Sequence, residues 1–207
     1  MKVKVCGMKD AGNIASVASL KPDYMGFIFY KPSPRCCQPL DPAVVKSLPE
    51  GIEPVMVCVD MAEEEILRNV ERYGFKTVQL HGHEEPELCF SLRSRGLKVV
   101  KALGMRSAES LDILRDFEGA VDLFLLDTMC ATKGGSGRKF DWSILDAYDL
   151  DTDFWLSGGI GPQDGEAIRN IHHPHFKGID LNSRFETAPG IKDADLLSTF
   201  FNVLNRN

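Results

Sequence analysis

A chain of 207 residues is long enough for one domain with a large hydrophobic core, and its 43% hydrophobic and 26% charged residues are ordinary for a globular protein. The formal net charge of −6 argues against a general nucleic-acid-binding role, because neutralising phosphates requires a basic surface. No apolar run approaches the roughly 18 residues of a membrane span and no signal-peptide pattern opens the chain, so we expect a cytoplasmic protein without membrane attachment.

Short apolar runs rich in β-branched residues recur along the whole chain and predict eight strands. Several runs are continuously apolar, such as residues 27–29 and 123–126, which is typical of strands that are covered on both faces. In chain order the predicted strands are residues 3–6, 24–29, 54–59, 77–80, 98–101, 123–127, 154–157 and 178–181.

Helix signals fill the gaps between these strands. Asp41-Pro42 is typical of an N-cap followed by a proline in the first turn, and Gly74 is a typical stop for a helix over residues 62–73. Further helices are predicted over residues 86–95, 107–117, 141–148, 162–171 and 193–204. This alternation predicts a single (β/α)8 barrel, an α/β fold, as one domain over residues 1–207. A doubly wound open sheet is the alternative, and it would leave two strands surplus.

Catalytic residues of such barrels lie at the carboxyl ends of the strands. The predicted strands place Cys6 at the end of the first and Asp127 at the end of the sixth. A thiol and a carboxyl group at one barrel mouth are suited to base and acid catalysis, although an arbitrary cysteine is more often a small core residue. Lys101, at the end of the fifth predicted strand, and Arg35 are candidates for binding a carboxylate or phosphate, with a solvated charge as the alternative.

Glycine-bearing loops follow the seventh and eighth predicted strands. Gly158 and Gly159 would let backbone N–H groups approach an anion near a helix N-terminus, where barrels often bind phosphate; a plain tight turn is the alternative. The Gly-Gly-Ser-Gly segment at residues 134–137 lacks the spacing of nucleotide-binding loops, and we interpret it as a lid over the barrel mouth or a surface loop.

Histidine and cysteine positions do not indicate a metal site. His81 and His83 form one pair, and His172, His173 and His175 form a cluster that is expected on the opposite face of the barrel. The six cysteines lack Cys-x-x-Cys spacing. We therefore expect neither a metal nor a cofactor.

The strand-end motifs, taken together, resemble those of the phosphoribosylanthranilate isomerases. Each motif is weak alone, but all occur in order and nearly all at strand ends. The matching segments are residues 4–9 (KVCGMK), 26–29 (GFIF), 33–35 (SPR), 78–82 (VQLHG), 126–128 (LDT), 134–137 (GGSG), 140–142 (FDW), 156–160 (LSGGI), 180–183 (DLNS), 186 (E) and 189–193 (PGIKD).

This resemblance implies a cofactor-free Amadori rearrangement in tryptophan biosynthesis, from N-(5-phosphoribosyl)anthranilate to 1-(2-carboxyphenylamino)-1-deoxyribulose 5-phosphate. It implies that Asp127 is the general acid and Cys6 the general base. Arg35, which we expect across the mouth from the last two loops, would hold the anthranilate carboxylate. Further expected contacts are Gln79, His81, Lys101 and Asp180 to the substrate, and Gly158, Gly159, Ser183 and Arg184 to its phosphate.

One departure from the family pattern concerns the phosphate site. The family usually has Ser-Ser-Gly where this chain has Asn182-Ser183-Arg184, and the sequence leaves open whether Arg184 contacts the phosphate. The alternative functions are the related histidine-pathway phosphosugar isomerase, which Cys6 argues against, and a non-catalytic phosphate-binding barrel. As partners we expect a small-molecule phosphosugar, no nucleic acid and no membrane, and we expect a monomer, with a dimer as the alternative.

Overall fold

Eight parallel strands form a closed barrel, in which each strand pairs with the next and the eighth pairs with the first. The computed structural model describes residues 1–128 and 141–204. The strands are β1 Lys2–Cys6, β2 Tyr24–Ile28, β3 Glu53–Cys58, β4 Thr77–Leu80, β5 Lys98–Met105, β6 Leu123–Thr128, β7 Phe154–Leu156 and β8 Phe176–Leu181. An antiparallel pair, β9 Glu186–Ala188 and β10 Ile191–Lys192, follows the barrel strands. The predicted (β/α)8 barrel is confirmed.

Helices connect the strands around the outside of the barrel. They are α1 Ala11–Ala18, α2 Pro42–Lys46, α3 Glu63–Tyr73, α4 Pro86–Ser94, α5 Asp112–Arg115, α6 Gly165–Arg169 and α7 Ala194–Val203. Short polar side chains begin three of them: Asp10, Asp41 and Asp193 each accept a hydrogen bond from a backbone N–H of the first turn. Gly74, at φ +79°, ends α3 as predicted.

Three predicted helices are shorter or tighter than expected. Residues 107–117 divide into a 3₁₀ helix, Ala108–Leu111, and the four-residue α5, and residues 162–171 divide into Pro162–Asp164 and α6. The helix predicted over residues 141–148 is the 3₁₀ helix Trp142–Ala147. Their apolar spacing fits both helix types, so the sequence pattern did not separate them.

Two cores lie on the two sides of the strands. Val3 and Val5 of β1 belong to the outer core between strands and helices, whereas Cys6 belongs to the inner core of the barrel together with residues such as Tyr24 and Trp155. Alternation along β1 therefore also directs Lys4 into the barrel interior, where it is fully buried. No helix in the described part of the chain is long and apolar enough to span a membrane.

Candidate active site

The carboxyl ends of the strands surround a cavity of about 890 Å³. Most of the predicted site residues line it, namely Arg35, His81, Lys101, Asp127, Gly158, Gly159, Asp180, Ser183 and Arg184. Cys6 and Gln79 are instead buried in the barrel interior, with exposed fractions of 3% and 1%. The fold thus brings nine of the eleven predicted residues to one surface and places the other two on the strands behind it.

Asp127 lies near the end of β6, with its carboxylate held from both sides. Its Oδ1 accepts a hydrogen bond from the backbone N–H of Thr128 at 2.8 Å, and its Oδ2 lies 3.2 Å from His81 Nε2. On the other side of that ring, Gln79 Nε2 lies 3.2 Å from His81 Nδ1. When Gln79 donates to Nδ1, the proton of the neutral imidazole is on Nε2 and is donated to the ionised form of Asp127, the form that an acid has after it has given up its proton.

Gly158 packs directly against this carboxylate. Its φ of +82° lies in the left-handed region. A methyl group there would collide with the backbone nitrogen of Thr128 and lie 2.6 Å from Asp127 Oδ1. Thr128 Oγ1 also donates to the Gly158 carbonyl oxygen at 3.3 Å. The end of β6 and the loop after β7 therefore meet at a spacing that only glycine allows.

Cys6 ends β1 and has a charged neighbour two residues earlier on the same face of the strand. Lys4 Nζ donates to Asp180 Oδ1 at 3.0 Å, and the side chains of this ion pair are 0% and 5% exposed. Burial lowers the pKa of Lys4, but Asp180 and Cys6 together raise it above its ordinary value. Burial raises the pKa of the Cys6 thiol, and the positive charge of Lys4 opposes that rise. Cys6 thus lies in a nearly solvent-excluded site beside a lysine whose pKa is raised.

Arg35 lies beside the loop after β8, so the prediction that places it across the mouth from the last two loops is wrong. Its Nε and Nη2 both donate to the Glu186 carboxylate, with distances of 2.7 to 3.0 Å. Lys192 Nζ donates to the same carboxylate at 2.5 Å. The reason for the error is barrel closure: β1 pairs with both β2 and β8, so the second and eighth loops become neighbours.

Lys101 lies in the middle of β5 rather than at a strand end, which corrects the predicted end of the fifth strand. Its neighbours Val100 and Ala102 face the barrel interior, so its side chain points into the layer between strands and helices. The strand β5 continues to Met105 and pairs with β6 as far as Thr128. Lys101 Nζ lies 2.7 Å from Glu84 Oε2 and donates to the Gly82 carbonyl oxygen at 2.9 Å. Its side chain and that of Glu84 are 1% and 2% exposed, so this ion pair is nearly free of solvent.

The residues predicted to bind phosphate lie on the loops after β7 and β8. Gly158 and Gly159 have φ of +82° and +69°. Ser183 begins a three-residue 3₁₀ helix, Ser183–Phe185, and Arg184 in that turn is exposed and lines the cavity. The helix start expected after Gly159 is the 3₁₀ turn Pro162–Asp164, which leads into α6. The candidate lid, residues 134–137, lies outside the described residues.

Sequence reasoning missed four charged residues that hold the site together, namely Lys4, Glu84, Glu186 and Lys192. The segments that resemble the family contain Lys4, Glu186 and Lys192, but no role was assigned to them. Of the four, Lys4 also gave a local signal, since a lysine at an alternate position of a short apolar strand must find a partner if the strand is covered on both faces. That partner, Asp180, is 176 positions distant in the sequence, and only barrel closure brings the two together.

A closed (β/α)8 barrel with a cavity at the carboxyl ends of its strands, a carboxyl group lining that cavity and a thiol beneath it has the architecture of a barrel enzyme. The family model of N-(5'-phosphoribosyl)anthranilate (PRA) isomerase matches residues 3–203, and the chain belongs to this family. Its function is the isomerisation of phosphoribosylanthranilate in tryptophan biosynthesis.

Relatives and solved structures agree with this assignment. The N-(5'-phosphoribosyl)anthranilate isomerase of Parabacteroides distasonis is 45% identical, covering 97% of this chain and 91% of the relative. That of Phocaeicola vulgatus is 40% identical, covering 100% and 98%. The crystal structure of phosphoribosyl anthranilate isomerase from Thermotoga maritima has a TM-score of 0.86 and 29% identity, covering 99% and 98%. A structure of such an isomerase in complex with reduced 1-(o-carboxyphenylamino)-1-deoxyribulose 5-phosphate has a TM-score of 0.84 and 28% identity, covering 99% and 98%.

Proposed function

We propose that this chain carries out its isomerisation by general acid–base catalysis, with Asp127 as the acid and Cys6 as the base. The observation that carries the proposal is the different surroundings of the two groups. Asp127 lines the cavity and is held by His81 and a backbone N–H. Cys6 is buried beside Lys4, where water does not compete with a carbon acid for the base.

The first step is opening of the ribose ring. Asp127 donates its proton to the ring oxygen, the bond from that oxygen to C1 breaks, and the anthranilate nitrogen supplies the electrons that form a protonated Schiff base at C1. Two contacts fix the direction of the carboxyl group. His81 holds Oδ2, and Oδ1 lies against the backbone of Gly158. A group of this kind contributes typically 10²–10⁴-fold to the rate.

The second step is loss of the proton on C2 to the Cys6 sulfur. The electrons of that C–H bond form the C1–C2 double bond of an enolamine and neutralise the Schiff-base nitrogen. The C2 hydroxyl group then loses its proton and C1 gains one, which gives the ketone. Protons balance over the cycle, because the proton that Cys6 receives is returned to the product or to solvent and Asp127 is reprotonated. No redox equivalent is consumed, since an aldose and a ketose have the same oxidation level.

Arg35 would bind the anthranilate carboxylate. Glu186 occupies Nε and Nη2 of the guanidinium group, which leaves the Nη1 edge for a ligand. Clamping by Glu186 also removes rotational freedom from Arg35 before the substrate arrives, so less entropy is lost on binding. Gln79, His81, Lys101 and Asp180 complete the proposed substrate-binding group, with Gln79 acting from behind the cavity wall.

The substrate phosphate would bind between the loops after β7 and β8. Backbone N–H groups of Gly158, Gly159 and Ser183 supply donors without the cost of ordering long side chains. Arg184 is exposed at the rim of the cavity, where its charge can add a contact to a phosphate dianion.

The remaining proposals concern the whole molecule. Residues 1–207 would form one domain that works as a monomer in the cytoplasm on a phosphosugar. The free thiols of Cys6, Cys36, Cys37, Cys58 and Cys89 are in keeping with a reducing compartment. A dimer stays the alternative, because one solved Thermotoga maritima relative is described as monomers generated from a dimeric isomerase. Light scattering at working concentration separates the two states.

The catalytic assignment is tested by two substitutions with matched controls. Cys6→Ser and Asp127→Asn should each lower kcat at least about 10²-fold, the usual worth of a general base or acid. Cys36→Ser and Asp146→Asn remove a half-buried thiol and an exposed carboxylate elsewhere, and should leave kcat unchanged. Turnover near the wild-type rate in Cys6→Ser or Asp127→Asn, measured by the loss of substrate fluorescence, would remove that residue from its role.

A further inference from the structure

The surroundings of Cys6 assign a role to a second residue of β1. Lys4 and Cys6 are both on the interior face of the strand, and Gly26 of β2 pairs with Cys6. A methyl group on Gly26 would lie 2.7 Å from Cys6 Sγ and 3.0 Å from Lys4 Cε. The sulfur and the end of the lysine side chain therefore share one small space that the missing side chain of Gly26 leaves open.

Charged or titratable groups from several elements lie near Cys6. Lys4 comes from β1, Asp180 from β8, Lys192 from β10, and the Cys37 thiol from the loop after β2. Lys192 is already committed, since its Nζ donates to Glu186 at 2.5 Å and to Asn182 Oδ1 at 2.8 Å. It therefore has little capacity to stabilise a negative charge on the sulfur.

Lys4 has more capacity than Lys192 to stabilise a negative charge on the sulfur. Its ammonium group has three N–H donors, and in the described part of the chain the one oxygen that accepts from it is Asp180 Oδ1. Lys4 Cε, which carries the ammonium group, and Cys6 Sγ lie 3.0 Å and 2.7 Å from the point where a Gly26 methyl group would be, so the ammonium group is close to the sulfur. Its side chain is 0% exposed, so no solvent screens its charge.

We propose that Lys4 is a positioning residue that acts through Cys6: it supplies the buried positive charge against which the thiol ionises and becomes a base. The role follows from burial and contact together. A thiolate in an apolar interior is strongly disfavoured, and an adjacent cation that cannot be screened offsets this cost. Asp180, in turn, keeps Lys4 charged and fixes its direction. This inference rests on the proposed function of Cys6.

Three substitutions on one strand separate charge from packing. Lys4→Met keeps the length of the side chain and removes its charge, and Lys4→Arg keeps the charge. Lys2→Met is the matched control, because Lys2 lies on the same strand, pairs with Asp23 and has a side chain that is 58% exposed. The ionisation of Cys6 is measured from the ultraviolet absorbance of its thiolate against pH, as the difference between each protein and its Cys6→Ser counterpart.

Lys4→Met should move this titration at least about one pH unit upward, so that kcat/KM at neutral pH falls at least about tenfold and recovers as the pH rises. Lys4→Arg and Lys2→Met should titrate as the wild type does. An unmoved titration in Lys4→Met, with an equal loss of kcat/KM at every pH, would mean that Lys4 only holds the structure, and would overturn the proposal.

Loss of Lys4 leaves Asp180 buried without a partner, which destabilises the fold. If Lys4→Met does not fold, the comparison is made between Asp180→Asn and the double variant Lys4→Met with Asp180→Asn, and the same upward shift is expected between these two. If the proposed function of Cys6 itself is wrong, Cys6→Ser keeps its turnover, whatever the titration shows. If Cys6→Ser loses turnover and the titration does not move, only the role of Lys4 is wrong.

Discussion

Replacement of Gly158 by alanine tests the close packing of the loop after β7 against the end of β6, where Asp127 lies. Two costs are expected. A non-glycine residue at φ +82° costs about 1–2 kcal/mol, and forcing a methyl group into filled space costs about 1–3 kcal/mol more. The neighbouring atoms are the Thr128 backbone nitrogen and Asp127 Oδ1, the latter 2.6 Å from the new methyl group, so relief of the collision must move the proposed acid.

Gly96→Ala is the matched control, because Gly96 has φ +83° and a methyl group there would have nothing within 4 Å. It should lower the free energy of unfolding by about 1–2 kcal/mol, without an effect on kcat. Gly158→Ala should lower it by about 2–5 kcal/mol and lower kcat about 10²-fold. Denaturant unfolding and steady-state kinetics give both numbers. A Gly158→Ala protein as stable as Gly96→Ala, with wild-type kcat, would refute the packing argument.

Three further predictions follow from the site. Arg35→Ala should weaken binding of a carboxylated product analogue much more than binding of inorganic phosphate; equal weakening in titration calorimetry would contradict its assignment to the carboxylate. Lys101→Met should lower the free energy of unfolding by about 3–5 kcal/mol, because it leaves the buried Glu84 carboxylate without its cation, with only the backbone N–H groups of Asp60 and Gly82 donating to it; a denaturation midpoint like that of the wild type would be the contrary result. Gly159→Val should raise KM strongly by excluding phosphate, and Arg184→Gly should raise it less; the opposite order in steady-state kinetics would place the phosphate elsewhere.

The elements that position the site were largely predictable because a barrel repeats one local pattern. Apolar runs and glycine stops mark β1 and α3 within a residue or two. Errors arose where a charged residue belongs to a strand: the run before Lys101 ends at a charge, yet β5 continues to Met105 because it pairs with β6. Hydrogen bonding to a neighbouring strand is a tertiary cause, and a single-sequence pattern does not contain it.

The site residues also fall into a group that the sequence predicted and a group that it did not. Those that follow apolar runs, such as Asp127 and Gly158, were predicted from their places at strand ends. The groups that hold them were not, since Lys4 pairs with Asp180 and Arg35 pairs with Glu186 only after β1 has paired with β8. Ion pairs between distant parts of a chain leave no local spacing to recognise.

A kinetic isotope effect tests most directly which of the two residues is the acid and which is the base. The substrate carries deuterium at C2 of the ribose, and the rates of the protonated and deuterated forms are compared in the wild type, Cys6→Ser and Asp127→Asn. If Cys6 removes the C2 proton, that step limits the residual turnover of Cys6→Ser, which should show a clear primary isotope effect. If Asp127 opens the ring, ring opening limits Asp127→Asn, which should show little or none. The reverse pattern, with the larger effect in Asp127→Asn, would contradict the assignment of the two residues.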